Sequence, residues 1–404
     1  MSIDVATPSP APAPATTPAL TPALTAIFAI ACGVIVANLY YAQALIGDIA
    51  PALGLSESRA GAIVTLTQLG YGAGLFLIVS LADLVENRRL ILLLTAGTCA
   101  GLIGIASSSG AAAFLAFSFV TGFCAVGAQI IVPLAAHLAP EATRGRTVGN
   151  IMGGLIAGIM LARPVANALA AVAGWRAIFI VAAVLTGALA LVLARIVPER
   201  RPTKGPGYRA LLGSSLTLLV RNPAIRRRTA YQAAMFAAFN MFWTAVPLVL
   251  ARQFDLGQGG IALFALAGAG GALAAPFAGR LGDRGHVRGG TLAALALGIA
   301  AFALAGWAAA AQALILLAVA AVLLDAATQT NQVLGQRVIY GIDPEARGRI
   351  NAIYMTMVFL AGAAGSTLAS VSFYHGGWTA TATLGAGIAA AALLLFLTEP
   401  RDQS

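Results

Sequence analysis

The stretch RGRTVGNIMGGLIAGIMLARPVANALAAVAGW, Arg144 through Trp175, decides the reading of the fold. It reads as a short basic turn, an apolar helix interrupted at Arg163-Pro164, and a Gly174-Trp175 exit. The same frame returns without a gap 203 positions later, from Arg347-Gly348-Arg349 through an apolar run to Gly377-Trp378. The chain is therefore a doubled unit. Inside the doubling, the first copy carries Arg163 where the second carries Ser366.

Composition identifies the solvent. The 404 residues are 59% hydrophobic and 9% charged, with a mean hydropathy of +0.88, whereas a soluble domain carries about 25% charged residues. A polytopic membrane protein follows. The net charge of +10 does not indicate a nucleic-acid partner, because the basic residues sit in short connections between apolar runs and not in a patch on a folded domain. Cys32, Cys99 and Cys124 lie inside apolar runs without paired spacing, which indicates neither a disulfide framework nor a zinc site. His137, His286 and His375 are far apart at loop edges, so no metal or catalytic constellation is expected. The chain has no GxxxxGKS segment and its one lysine is Lys204, so neither ATP hydrolysis nor a cofactor is expected.

A helix needs about 20 apolar residues to cross a hydrocarbon core of about 30 Å. Twelve runs between residues 23 and 397 reach or approach that length. The expected organisation is a disordered tail over 1–20, a six-helix half over 21–194, a basic linker over 195–229, a second six-helix half over 230–398, and a short tail over 399–404. The linker holds nine of the 24 Lys and Arg residues. Arg59, Arg176 and Arg252 alone fall on the side opposite the linker, and Arg163 falls within the membrane. This asymmetry predicts that the linker and both termini are cytoplasmic.

The halves match elsewhere as well. Asn38-Leu39-Tyr40-Tyr41 corresponds to Asn240-Met241-Phe242-Trp243, Asp83 to Asp283, and Gln129 to Gln332. The expected fold is all-α, with 12 transmembrane helices in two parallel pseudo-symmetric halves. Many secondary transporters have this architecture and hold their site near the bilayer midplane between the repeats.

Tyrosine and cysteine aside, Arg163 and Asp325 are the ionisable side chains that fall well inside apolar runs. At about 1.5 Å per residue, Arg163 lies about 24 Å from the cytoplasmic start of its run and Asp325 about 21 Å from the outer start of its own. They share a depth, one in each half. A charge there costs at least about 2.5 to 3.5 kcal/mol and marks a functional site by default. Two roles are open. Arg163 binds an anionic group while Asp325 exchanges a proton, or the two pair across the halves and hold one conformation. A structural alternative has each satisfied within its own half. Tyr231 and Trp307, nearer run ends, read as interface anchors.

The loop Leu81-Ala82-Asp83-Leu84-Val85-Glu86-Asn87-Arg88-Arg89 resembles the signature that follows the second helix in the major facilitator superfamily, with Val79 and Glu86 in place of its two glycines. Gly279-Arg280-Leu281-Gly282-Asp283-Arg284 is closer to that pattern. Asn38 through Gln43, Leu161-Ala162-Arg163, and Leu324-Asp325 with Gln329 and Asn331-Gln332 resemble a bacterial subgroup of efflux permeases, similar to drug:proton antiporters. The resemblance implies a multi-pass protein of the bacterial inner membrane, a monomer that moves a small organic solute by alternating access, with protons as partners and export as the direction. It also implies a gate built from Asp83, Arg88, Arg89, Asp283 and Arg284. The cavity would be lined by Asn38, Tyr41, Gln43, Gln129, Asn240, Trp243, Gln329, Asn331, Gln332 and Gln336, although Asn and Gln also cement helix contacts. Alternatives are an uncoupled facilitator or importer of sugars or organic acids, and, in a different class, a membrane sensor or intramembrane enzyme.

Overall fold

The computed structural model describes residues 21–201, 207–343 and 346–400. The expected tail 1–20, Lys204 in the linker, and residues 401–404 lie outside the described residues. Sixteen α-helices follow in order. They are α1 (Pro22–Ala37), α2 (Tyr41–Ala44), α3 (Ile46–Ala52), α4 (Ala62–Leu77), α5 (Asn87–Ser107), α6 (Ala111–Cys124), α7 (Gly127–Leu138), α8 (Arg144–Ala173), α9 (Arg176–Ile196), α10 (Tyr208–Arg221), α11 (Pro223–Gln253), α12 (Gln258–Ala269), α13 (Ala274–Asp283), α14 (Val287–Ala310), α15 (Leu314–Ile342) and α16 (Arg347–Leu397). Among the described residues nine helical spans are long and apolar enough to cross a membrane. α16 bends into two arms, and α1 and α12 are shorter apolar helices continued by α2–α3 and by α13, so the chain fits twelve crossings. Large apolar side chains such as Val172 and Ile315 stand exposed, a surface that hydrocarbon solvates and water would not.

The doubled frame has a physical cause at its exits. Gly174 and Gly377 both adopt positive φ, 78° and 61°, a region where a Cβ is strained. Each releases the chain from one long helix into the next. The tryptophan that follows is buried in both copies. Trp175 lies edge-on to Phe114 and Phe179, and Trp378 lies edge-on to Phe242 and donates its Nε1–H to the Ala305 carbonyl at 2.9 Å. In the first half α1 and α8 cross at Gly33, Gly154 and Gly158, where a Cβ on any of the three would collide with the facing backbone. Small residues allow such close approach, and close approach supplies the dispersion that holds helices together in lipid.

α11 begins at Pro223, inside the expected linker, with Asn222 capping it through hydrogen bonds to the Ala224 and Ile225 amides. Arg228, expected to be one of the linker's topology charges, is instead 1% exposed. Its Nη2 lies 3.3 Å from Glu399 Oε1 and its Nη1 donates to Thr291 Oγ1 at 2.9 Å. Tyr231, expected at the membrane interface, is fully buried edge-on to Phe396 beside this pair. The reason is that the end of α16 returns against α11 and α14 and covers both side chains. Removing one partner of such a buried pair leaves an uncompensated charge. Glu399→Ala is therefore expected to lower stability by about 3 to 5 kcal/mol. The double substitution Arg228→Met with Glu399→Leu should recover most of that loss. Thermal unfolding followed by size-exclusion of the detergent-solubilised protein measures both.

Candidate functional site

The first membrane-crossing segment breaks where the site is built. Asn38 donates its side-chain Nδ2 to the carbonyls of Val34 at 3.0 Å and Ile35 at 3.1 Å. These bonds compete with the helix ladder, and the backbone leaves α1 through i→i−3 turns at Leu39 and Tyr40 before α2 starts. The break turns Tyr40 and Gln43 toward α8. The amide donor of Asn38 is thus spent on its own helix end, while Tyr41 is buried and its hydroxyl makes no hydrogen bond among the described residues.

Arg163, on α8, is 6% exposed and donates both Nε and Nη2 to Gln43 Oε1, at 3.3 and 3.0 Å. Its guanidinium carbon stands 4.4 Å from the ring centre of Trp243, 5.0 Å from Tyr40 and 5.3 Å from Phe239. A desolvated cation over an aromatic face gains about 2 kcal/mol or more, and three rings surround this one. Trp243 in turn donates Nε1–H to Asp325 Oδ1 at 2.8 Å. Among the described residues no ion pair within 4.0 Å joins Arg163 to Asp325. The indole stands between them, with its face on the cation and its edge on the anion. Each charge finds its hydrogen-bond partner within its own half, and the Trp243 and Phe239 faces supply the contact that crosses between halves.

Amides and hydroxyls extend that crossing. Gln43 Nε2 donates to Asn240 Oδ1 at 3.2 Å and lies 3.3 Å from Thr244 Oγ1, while Gln68 Nε2 shares the same Asn240 oxygen at 3.2 Å. Thr244 continues to Ser366 Oγ at 3.3 Å. The position that aligns with Arg163 thus sits in the same network, as a hydroxyl in place of a guanidinium. Gln68 Oε1 and Asn167 Oδ1 are buried there and accept no protein hydrogen bond. The sequence does not mark Phe239, Thr244 and Gln68 as site residues, and it offers Tyr40 and Ser366 only as positions of the repeat. Tyr40 and Phe239 each adjoin or nearly adjoin a named candidate, and Gln68 is a polar side chain in the middle of an apolar run. A cavity of about 10 Å³ lies beside Arg163, bounded by Asn167 and Trp243, room for a water at most.

The remaining amide candidates gather elsewhere. Gln232 of α11 accepts from Asn331 Nδ2 at 2.7 Å and donates to Gln332 Oε1 at 3.3 Å. Gln336 and Tyr340 of α15 meet Asn351 of α16. Both clusters fasten helices within the second half. Gln129 of α7 donates to Tyr71 Oη at 3.1 Å, and Gln329 is half-buried on α15.

The two ends of the bundle differ. At the end opposite the linker, Arg252 grips Glu57 with two bonds of 2.7 and 3.2 Å, Gln258 donates to Asp48 at 2.7 Å, and Thr65 meets Thr367 at 2.8 Å. All three contacts join the halves. At the linker end a cavity of about 100 Å³ lies between the halves, lined by Asp83, Gln129 and Arg200 on one wall and Arg349 and Ala352 on the other. Tyr71 and Phe359, with ring centres 4.4 Å apart, and Phe236, 5.0 Å from Phe359, lie in the interface near this cavity and the Gln68 network.

Among the described residues, none of the charges expected to form the gate forms an ion pair with those the sequence placed beside it across the Asp83 and Asp283 motifs. Glu86 caps α5 through the amides of Arg88 and Arg89 and pairs with the Arg89 side chain at 3.5 Å. The Arg88 side chain reaches the Ala194 carbonyl and Glu199. That leaves Asp83 facing the cavity it shares with Arg200 and Arg349, with no ion pair within 4.0 Å among the described residues. Asp283 pairs with Arg337 of α15, and Arg284 is exposed.

Comparison with known proteins agrees with the fold. The family model described as Major Facilitator Superfamily matches residues 23–284 and 229–404. The chain is 42% identical over 371 residues to the uncharacterized transporter YgaY of Escherichia coli O157:H7, covering 92% of this chain and 94% of that one. It is 34% identical over 358 residues to the probable transporter SCO4007 of Streptomyces coelicolor, covering 87% and 82%. Among solved structures, a D-xylose-proton symporter superposes with a TM-score of 0.76 at 16% identity over 94% of this chain and 98% of its own. The nucleoside transporter NupG does so with 0.72 at 14% identity over 92% and 99%. The doubled helical bundle and these matches together make the chain a member of the Major Facilitator Superfamily, a membrane transporter and not an enzyme.

Proposed function

We propose that this transporter exports a small organic anion in exchange for protons, with Arg163 as the anion site and Asp325 as the proton site. The observation that carries this reading is Trp243, which lies with its face on Arg163 and its N–H on Asp325. A change of charge on Asp325 alters the hydrogen bond that positions the indole, and the indole is what braces the guanidinium. Gln43 Oε1 occupies the place where a carboxylate oxygen would receive the same two N–H donors. The rings of Tyr40, Phe239 and Trp243 favour a flat, apolar body, and Gln68 Oε1 and Asn167 Oδ1 would accept from donors on the solute.

A site beside a cavity of about 10 Å³ admits no solute until the halves separate, as alternating access requires. With the linker cytoplasmic, as the distribution of basic residues implies, the interlocked end faces outward and the end with the larger cavity faces inward. Export is the direction implied by the resemblance to efflux permeases. The test uses purified protein in vesicles, a panel of aromatic and aliphatic carboxylates alongside neutral and cationic analogues, and an imposed pH gradient. Carboxylates moving against their gradient only when protons run down theirs is the expected result. Movement of neutral solutes alone, or movement indifferent to the pH gradient, would rule the proposal out.

A further inference from the structure

We propose that the groove between α5 and α9 binds an anionic phospholipid, with one acyl chain between the helices and the headgroup phosphate on Arg176. The two helices are fastened twice. Cys99 Sγ donates to the Ala183 carbonyl at 3.3 Å, and Arg176 Nη2 donates to the Ser108 carbonyl at 3.0 Å. Near these ties opens a cavity of about 460 Å³ with walls of Ile103, Ile180 and Val184 and small side chains at Ala106, Ala183 and Ser107, whose hydroxyl is spent on the Ile103 carbonyl of its own helix. The wall residues are more than half exposed, so the groove opens outward from the bundle, where lipid lies.

The groove has a cation near one end. Arg176 is exposed and lies one helical turn from Ile180. Its guanidinium carbon is fixed 4.1 Å from the ring centre of buried Trp175. No carboxylate lies within 4.0 Å of it among the described residues. One of its five N–H donors is used by Ser108, and the others remain for a ligand in a fork that matches a phosphate. An apolar channel ending at a braced, unneutralised guanidinium fits an amphiphile with a long chain and an anionic head. A guanidinium recognises a phosphate by charge and by paired N–H donors on either side of a membrane.

The test is native mass spectrometry of the full chain in detergent, titrated with phosphatidylglycerol or phosphatidylcholine of the same acyl chains. The wild type is expected to retain phosphatidylglycerol about fivefold better, the effect of one basic side chain on one anionic headgroup. Arg176→Gln is expected to bring retention of phosphatidylglycerol down to that of phosphatidylcholine. Ala106→Leu, which fills the groove and leaves the arginine, should weaken retention of both lipids. Equal retention of the two lipids by the wild type, or unchanged selectivity in Arg176→Gln, would overturn the proposal. So would a protein dimer that Ala106→Leu dissolves, because the groove would then hold a second copy of the chain.

Discussion

Asp325→Asn is expected to abolish uptake driven by a pH gradient, to the level of protein-free vesicles, while sparing exchange of labelled for unlabelled solute at equal pH. The amide keeps the shape of the carboxylate and keeps an oxygen to accept from Trp243 Nε1, now 2.8 Å away. It does not titrate, so no proton can be carried. The bond it makes is also weaker. Hydrogen bonds to a charged group contribute about 1.5 to 3 kcal/mol and neutral ones nearer 1, so the indole is held less firmly over Arg163. A modest rise in KM for exchange should accompany the loss of coupling. The buried setting makes the contrast sharp, since among the described residues no cation neutralises Asp325 directly and Trp243 is its hydrogen-bond partner. Gradient-driven uptake that survives in the asparagine variant would remove Asp325 from the proton path and leave it a structural ligand of the indole.

Much of the fold was legible because its signals are local or strictly periodic. Apolar runs, the placement of arginines, and the recurrence of Arg-Gly-Arg with Gly-Trp at a constant separation each survive without knowledge of packing. The positive φ at Gly174 and Gly377 shows why the exits recur: each copy needs a residue without a Cβ at the same corner. Arg163 and Asp325 stood out because a charge in an apolar run is expensive. Their relation did not stand out. Depth along two helices says nothing about azimuth, and the side chain that joins them belongs to a third helix, α11. Trp243 is legible as a lining residue, but its double role depends on the approach of α12, where Gly268 leaves room for the far edge of the indole. The partners of Asp83 and Asp283 were obscured for a similar reason. Arg88 and Arg89 are near Asp83 in sequence, yet the Glu86 cap commits one of them, and the other turns to the end of α9. The clusters of Gln232 with Asn331 and of Gln336 with Asn351 illustrate a further limit. An amide on a helix looks the same in sequence whether it faces a passageway or a neighbouring helix.

Arg163→Lys is expected to raise KM for the transported anion by about tenfold to a hundredfold with the fold intact, although the charge is kept. The arginine is used for its shape. A planar fork sends Nε and Nη2 to a single oxygen of Gln43 and lies among three aromatic rings. Lysine offers a compact, strongly hydrated ammonium that cannot form the fork or stack. The lost cation–π contact, about 2 kcal/mol, corresponds to about thirtyfold and falls in that range, because the ammonium keeps one charged hydrogen bond. Arg163→Met separates binding from stability. It removes anion transport altogether, but it also removes a buried charge that among the described residues has no carboxylate within 4.0 Å, and with it the desolvation cost of that charge. The midpoint of thermal unfolding should therefore stay level or rise in Arg163→Met while transport is lost, whereas Glu399→Ala should lower it. If Arg163→Met instead lowered the midpoint as far as Glu399→Ala does, the guanidinium would be holding the two halves together through Trp243 and Phe239, and its loss of transport would report a collapsed interface instead of a missing anion site.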